Sequence, residues 1–143
     1  MRKRLSSIAS LLTRSVEDDP QLSSTVVTVY LFGSYATGFA KRDSDIDLAF
    51  LLEEKLYRLY PFESASGAHL VAAHMALSLD AEIDVTVLNG ASTEIAYEVI
   101  TTGICLYDAD SDRRFEYEAK VRGLYFDFKP FLDTLRKQYV DGL

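Results

Sequence analysis

Apolar residues recur along this chain with two different periods. Leu5, Ile8, Leu12 and Val16 fall at three- and four-residue steps, the spacing that lines one face of a helix, and Asp18-Asp19-Pro20 ends that pattern. From Thr25 to Phe32 the residues are mostly β-branched or aromatic, which predicts a strand. Gly33 stops it, and Ser34 to Gly38 is short enough for a helical turn. Asp43-Ser44 leads into a second strand, Asp45 to Leu52. Glu53 to Gly67 is mixed in character, and Pro61, Ser64, Ser66 and Gly67 read as a loop. Ala68 to Leu79 is Ala-rich and reads as a helix, while Glu82 to Leu88 alternates cleanly and reads as a strand. Asn89-Gly90 turns the chain, and Ser92 or Thr93 can cap a helix running to about Thr101. Gly103 to Tyr107 is a short further strand; Asp110 to Tyr139 is helical, with Pro130 expected to kink or divide it. The order predicts an α/β (α+β) domain, a small mixed sheet flanked by helices and followed by a C-terminal helix. Residues 1–143 read as one domain, with a core at about 25–108 and a helical region at about 110–140.

Composition adds limits. A chain of 143 residues buries roughly 70% of its unfolded surface and folds without staples. Hydrophobic residues at 48% and charged residues at 26% fit an ordinary soluble protein. Cys105 is the one cysteine, so there is no intrachain disulfide and no Cys-based metal site, and a cytoplasmic location is expected. Met1 to Arg4 resembles the basic start of a signal peptide, but Ser6, Ser7, Ser10, Thr13 and Arg14 break up the apolar residues after it. No stretch approaches the roughly 20 apolar residues of a membrane span, so no membrane association is expected. The net charge of -7 opposes stable binding to a nucleic-acid backbone. A nucleotide carried as its metal complex meets less repulsion.

Charge also concentrates in one motif. Successive strand side chains alternate faces, so Asp45 and Asp47 project together while Ile46 and Leu48 enter a core. Two carboxylates one step apart repel each other unless a cation lies between them, which suits a hard divalent ion with oxygen ligands. In Glu82 to Val87 the apolar residues take one face, leaving Asp84 on the other. If the two strands are neighbours, Asp84 shares the face of Asp45 and Asp47. Gly33 lets a phosphate approach the backbone, the amides of a helix start point at the anion, and Ser34 adds a hydroxyl. A Gly-Ser turn or an Asp-x-Asp strand alone is commonplace; their combination equips a chain for in-line displacement at phosphorus by a hydroxyl.

These residues resemble the DNA polymerase β-type nucleotidyltransferase superfamily, whose signature is Gly-Ser, ten residues, then Asp-x-Asp; here the ten run from Tyr35 to Ser44. The ending Gly103-Ile-Cys-Leu-Tyr107-Asp108, followed by a helix bearing Tyr125 and Asp127, resembles the minimal nucleotidyltransferase (MNT) group. Members of that group serve as antitoxins of HEPN-domain RNase toxins in type VII-like pairs. The resemblance implies a polymerase β-like fold and a Mg²⁺-dependent protein adenylyltransferase. Such an enzyme moves AMP from ATP to a tyrosine hydroxyl of the toxin and silences it. It further implies that Asp45 and Asp47 bind Mg²⁺ and that Asp84 is a metal ligand that activates the hydroxyl. Gly33 and Ser34 would hold the triphosphate. Many relatives carry arginine where this chain has Thr37; Lys41 or Arg42 could replace it as a nucleotide contact.

Other features carry less. His69 and His74 are too far out of phase to share a helix face and read as structural, and Cys105 reads as a buried packing residue. Phe115, Tyr117, Tyr125, Phe126, Phe128, Phe131 and Tyr139 enrich the C-terminal stretch, most of them expected in the core and the rest on a partner surface. Two alternative functions stand beside the transferase: a binding antitoxin that masks its partner without catalysis, and a small-molecule transferase of the aminoglycoside type. The latter leaves only about 35 residues after Asp108 for a substrate domain, small beside a typical domain.

Overall fold

The structure, a computed structural model, describes residues 2–41 and 44–141. Helix α1 (Arg2–Glu17) buries Ile8, Leu12 and Val16, as its periodicity predicts. Pro20 does more than end that helix: it opens α2 (Pro20–Thr25) at a position where its missing N–H costs nothing. The Asp19 carboxylate caps α2 by accepting from the Gln21 and Leu22 amides at 2.9 and 3.3 Å. Strand β1 (Val26–Phe32), the single turn α3 (Ser34–Thr37) and strand β2 (Ile46–Leu52) come next, as expected to within a residue.

The expected loop at 53–67 is instead helical, α4 (Glu54–Leu59) leading into α5 (Pro61–Leu79). Its apparent loop signals are helix starts. Glu53 caps α4 by accepting from the Leu56 amide at 2.7 Å, and Pro61 occupies the first turn of α5. Then come β3 (Ile83–Val87), a 3₁₀ turn at Leu88–Gly90, α6 (Thr93–Thr102) capped by Ser92, β4 (Ile104–Asp108) and α7 (Ser111–Asp141). Pro130 lies inside α7 without dividing it.

The four strands order as β3-β2-β1-β4, with β1 antiparallel to β2 and β4, and β2 parallel to β3. One face buries Val29, Leu31, Ile46, Leu48 and Phe50 against α1 and α5. The other buries Tyr30, Ala49 and Leu51 against Ala96, Val99 and Val121 of α6 and α7. A polar network ties α7 to this second face. The Tyr30 hydroxyl donates to Glu118 at 2.8 Å, Arg114 donates to Asp108 at 2.8 Å, and Arg114 lies 3.5 Å from Glu118. Burial first, then the Glu118 carboxylate, holds the Tyr30 hydroxyl far above the ordinary tyrosine range.

Three expectations about packing need correction. Phe115, Phe126, Phe128, Phe131 and Tyr139 are exposed, not core residues. A helix of 31 residues spans about 46 Å, twice the roughly 23 Å of a strand of seven, so much of α7 has no sheet to cover. Tyr125 is half-buried and stacks on Tyr97 of α6 with ring centroids 3.7 Å apart. Cys105 is exposed because β4 is an edge strand, and His69 and His74 are exposed on α5 and fill no core position. Among the described residues no helix is long and apolar enough to cross a membrane.

Candidate active site

The residues singled out by parity meet at one end of β2. Ile46 and Leu48 are buried beneath the sheet; Asp47 is half-buried on the opposite face, and Asp45 is exposed just before the strand. β3 lies parallel with Asp84 in register with Asp47, and Ile83 in register with Ile46. The Ile46 amide donates to the Glu82 carbonyl at 2.9 Å, which extends the ladder to the level of the carboxylates. Asp84 therefore shares the face of Asp47. The same face is covered by α6 and α7 only further along, over Tyr30 and Ala49.

Desolvation raises the Asp47 carboxyl above its ordinary range, and the negative charges of Asp84 and Asp45 raise it further. A cation beside these groups reverses the sign of that interaction. Among the described residues no three His, Cys, Asp or Glu side chains form a cage for a metal ion. The acids instead form an open row along two strands. That donor set fits a magnesium-like ion, which keeps only one or two carboxylates and completes its shell with phosphate oxygens and water.

Gly33 stands beside this row. Phe32 pairs with Asp47 across β1 and β2, which brings the following residue against the carboxylate. Gly33 adopts φ 73° and ψ -150°, open to glycine alone, and a Cβ built there would collide with the Asp47 carboxylate. Two independent constraints thus require glycine. The turn after it is held by the Ala36 and Thr37 amides donating to the Gly33 carbonyl at 3.1 and 3.2 Å, and by the Phe39 amide donating to the Ser34 carbonyl at 3.0 Å. Tyr35 is buried in the core and anchors the turn, leaving Ser34 half-exposed. The Ser34 and Tyr35 amides begin the turn and have no earlier helical carbonyl to bond. A hydroxyl and backbone donors beside a row of acids can hold a polyphosphate bridged by a cation.

The remaining candidates are placed less closely. The Thr37 hydroxyl turns back onto its own backbone, donating to the Gly33 and Ser34 carbonyls at 3.2 and 3.4 Å. Lys41 is exposed on the loop before Asp45, its amide donating to the Ser44 hydroxyl at 2.7 Å. Arg42 lies outside the described residues. Phe39, directly after Gly38, is exposed.

Residues 20–112 match the family described as polymerase beta, nucleotidyltransferase. Over 84 residues the chain is 36% identical to protein adenylyltransferase MntA of Shewanella oneidensis, covering 59% of this chain and 55% of that protein. The match thus spans little more than half of that relative's length. A chain in a crystal structure of a toxin-antitoxin with AMP-PNP is 26% identical with a TM-score of 0.62, covering 92% of this chain and 98% of the other. A chain from a tri-AMPylated Shewanella oneidensis HEPN toxin in complex with MNT antitoxin shares the fold, at 23% identity and a TM-score of 0.58 over 94% of this chain and 98% of the other.

Proposed function

The chain belongs to the polymerase β nucleotidyltransferase family, and on that premise we propose that it is an antitoxin that transfers AMP from ATP to a tyrosine hydroxyl of a HEPN-domain toxin. The observation that carries the reading is the register of Asp47 with Asp84 beside a glycine that must stay bare. Asp45, Asp47 and Asp84 are the residues that would hold a Mg²⁺ ion. Such an ion would supply neutralisation of charge on the triphosphate and pyrophosphate. Gly33 and Ser34 seat the triphosphate, and Lys41 supplies the positive contact that Thr37 does not. Asp84 takes the proton of the tyrosine hydroxyl. The hydroxyl oxygen bonds to the α-phosphorus, the bond from that phosphorus to the bridging oxygen breaks, and pyrophosphate leaves. AMP remains on the tyrosine. The protein name of the Shewanella relative and the AMP-PNP complex of the structural neighbour both support this assignment. Residues 1–143 act on this reading as one minimal cytoplasmic domain.

The test is incubation with labelled ATP, Mg²⁺ and the cognate HEPN-domain protein, comparing wild type with Asp45→Asn/Asp47→Asn. Label on the partner is expected with wild type only; label surviving the double substitution overturns the assignment. The exposed aromatics of α7 favour a second reading, neutralisation by masking. Full neutralisation of the toxin by the double variant would select it.

A further inference from the structure

The two edges of the sheet are built differently. β4 pairs with β1 through a register shift between Val29 and Tyr30, an irregularity of the kind that makes an edge a poor template for another strand. β3 pairs with β2 without interruption and contains neither proline nor lysine. In a parallel pair, alternate residues turn their backbone groups toward the neighbouring strand. The bond from the Ile46 amide to the Glu82 carbonyl, with Ile46 in register with Ile83, sets the phase. Asp84 and Thr86 therefore face β2, while the amides and carbonyls of Ile83 and Val85 face outward. Among the described residues no hydrogen bond is formed to those outward groups. The Ile83 and Val85 side chains pack into the core on the α5 side, so what the edge offers is bare backbone immediately beside Asp84.

We propose that this edge receives the acceptor: an extended segment of the partner protein adds to β3 as a further strand and lays its tyrosine over Asp84. The inference rests on the transfer reading above and specifies how the acceptor is presented. In-line displacement puts the incoming hydroxyl and the departing pyrophosphate on opposite sides of the α-phosphorus. Gly33 and Ser34, which follow β1, seat the pyrophosphate end on one side of Asp47, and Asp84 on β3 lies on the other. The hydroxyl therefore comes in from the β3 side, and beyond β3 the sheet ends. An added strand lies about 4.8 Å further out, so a phosphorus above β2 is about 10 Å from it. A tyrosine side chain bridges that gap, and a serine or threonine does not. Charge selects the segment further. Asp80, Glu82 and Asp84 are exposed at the start of the edge and form no ion pair among the described residues. A segment with Lys or Arg beside its tyrosine complements them.

Amide hydrogen exchange tests the edge on the complex of the chain with its cognate HEPN-domain protein, Mg²⁺ and the α,β-methylene analogue of ATP, which cannot release pyrophosphate. The Ile83 and Val85 amides are expected to slow by about tenfold or more relative to the free chain, as open amides do on gaining a strand partner. The Asp84 and Thr86 amides, already bonded to β2, change less. Kinetics give a second readout. Val85→Pro removes one outward donor and none of the bonds to β2, a placement that edge strands tolerate. It is expected to raise KM for the toxin about tenfold, the effect of leaving a segment carbonyl unpaired, with KM for ATP unchanged. Glu82→Lys leaves the strand intact and is expected to raise the toxin KM about threefold, less at high salt. Circular dichroism checks that both variants fold. Absence of transfer by wild type fails the enzyme reading itself. Intact transfer with unaltered exchange at Ile83 and Val85, or with an unchanged toxin KM in a folded Val85→Pro chain, overturns docking at the edge.

Discussion

Glu118 and Asp47 are carboxylates set against the same face of one sheet, and their neighbours have opposite signs. Glu118 is buried, accepts the Tyr30 hydroxyl, and has Arg114 at 3.5 Å and Arg122 at 3.9 Å. Asp47 is more exposed, yet among the described residues the charges that reach it belong to Asp84 and Asp45. Compensated charge fastens α7 to the sheet; uncompensated charge raises the free energy of the folded chain and leaves a place where a cation lowers it. Burial alone would rank these two acids the wrong way round. The sign of the neighbours separates the structural carboxylate from the one proposed for chemistry.

The contrast can be broken or sharpened by substitution. Asp47→Asn should lower AMP transfer by about 10³-fold or more with the fold intact, measured as initial rates at saturating Mg²⁺. A loss under about tenfold would erase the distinction between the two acids. Glu118→Ala leaves Arg114 short of a partner and Tyr30 without an acceptor. It should cost about 2–4 kcal/mol in urea unfolding while leaving transfer nearly unchanged where the chain stays folded. Gly33→Ala brings a methyl against Asp47 in a conformation that L residues avoid; about 1–2 kcal/mol of stability and about 10²-fold in transfer should go together. Tyr30→Phe removes one buried hydrogen bond and should cost about 1 kcal/mol by the same urea assay.

The smallest effect is the most discriminating. Asp47 is held above its unfolded range, so its ionised form burdens the folded state at neutral pH, and that burden lifts as pH falls through the raised value. Without metal, Asp47→Asn should therefore be slightly more stable than wild type, by about a few tenths of a kcal/mol once solvent screening is allowed for. The gain should shrink in acid. Thermal melts at neutral and acidic pH in a chelating buffer measure both.

The placement of the candidate site residues was legible because it derives from period-two alternation. Ile46 and Leu48 set the face of Asp45 and Asp47, and Ile83, Val85 and Val87 set that of Asp84, so only the pairing of β2 with β3 had to be supplied. The two helices at 54–79 were harder to read because Pro and Glu mark loops and helix starts alike, and only the observed caps at Glu53 and Pro61 separate the meanings. The exposed aromatics of α7 were misjudged for a different reason. Composition reports how apolar a helix is but not how far the sheet beneath it reaches. Cys105 was misplaced likewise, since edge position depends on strand order, which residues 103–107 do not encode.

Asp47 and Asp84 belong to strands separated in the chain by α4 and α5, and they meet only when β3 docks in one particular alignment. A slip of one residue would turn Asp84 inward and bring Ile83 or Val85 to the surface. A misaligned chain would keep every acid, every glycine and the same net charge, yet have no working centre. On the proposed function the chain would carry its own inspection step: activity would certify that the crossover has closed in frame, and a chain still emerging, or stopped before Asp84, would be silent.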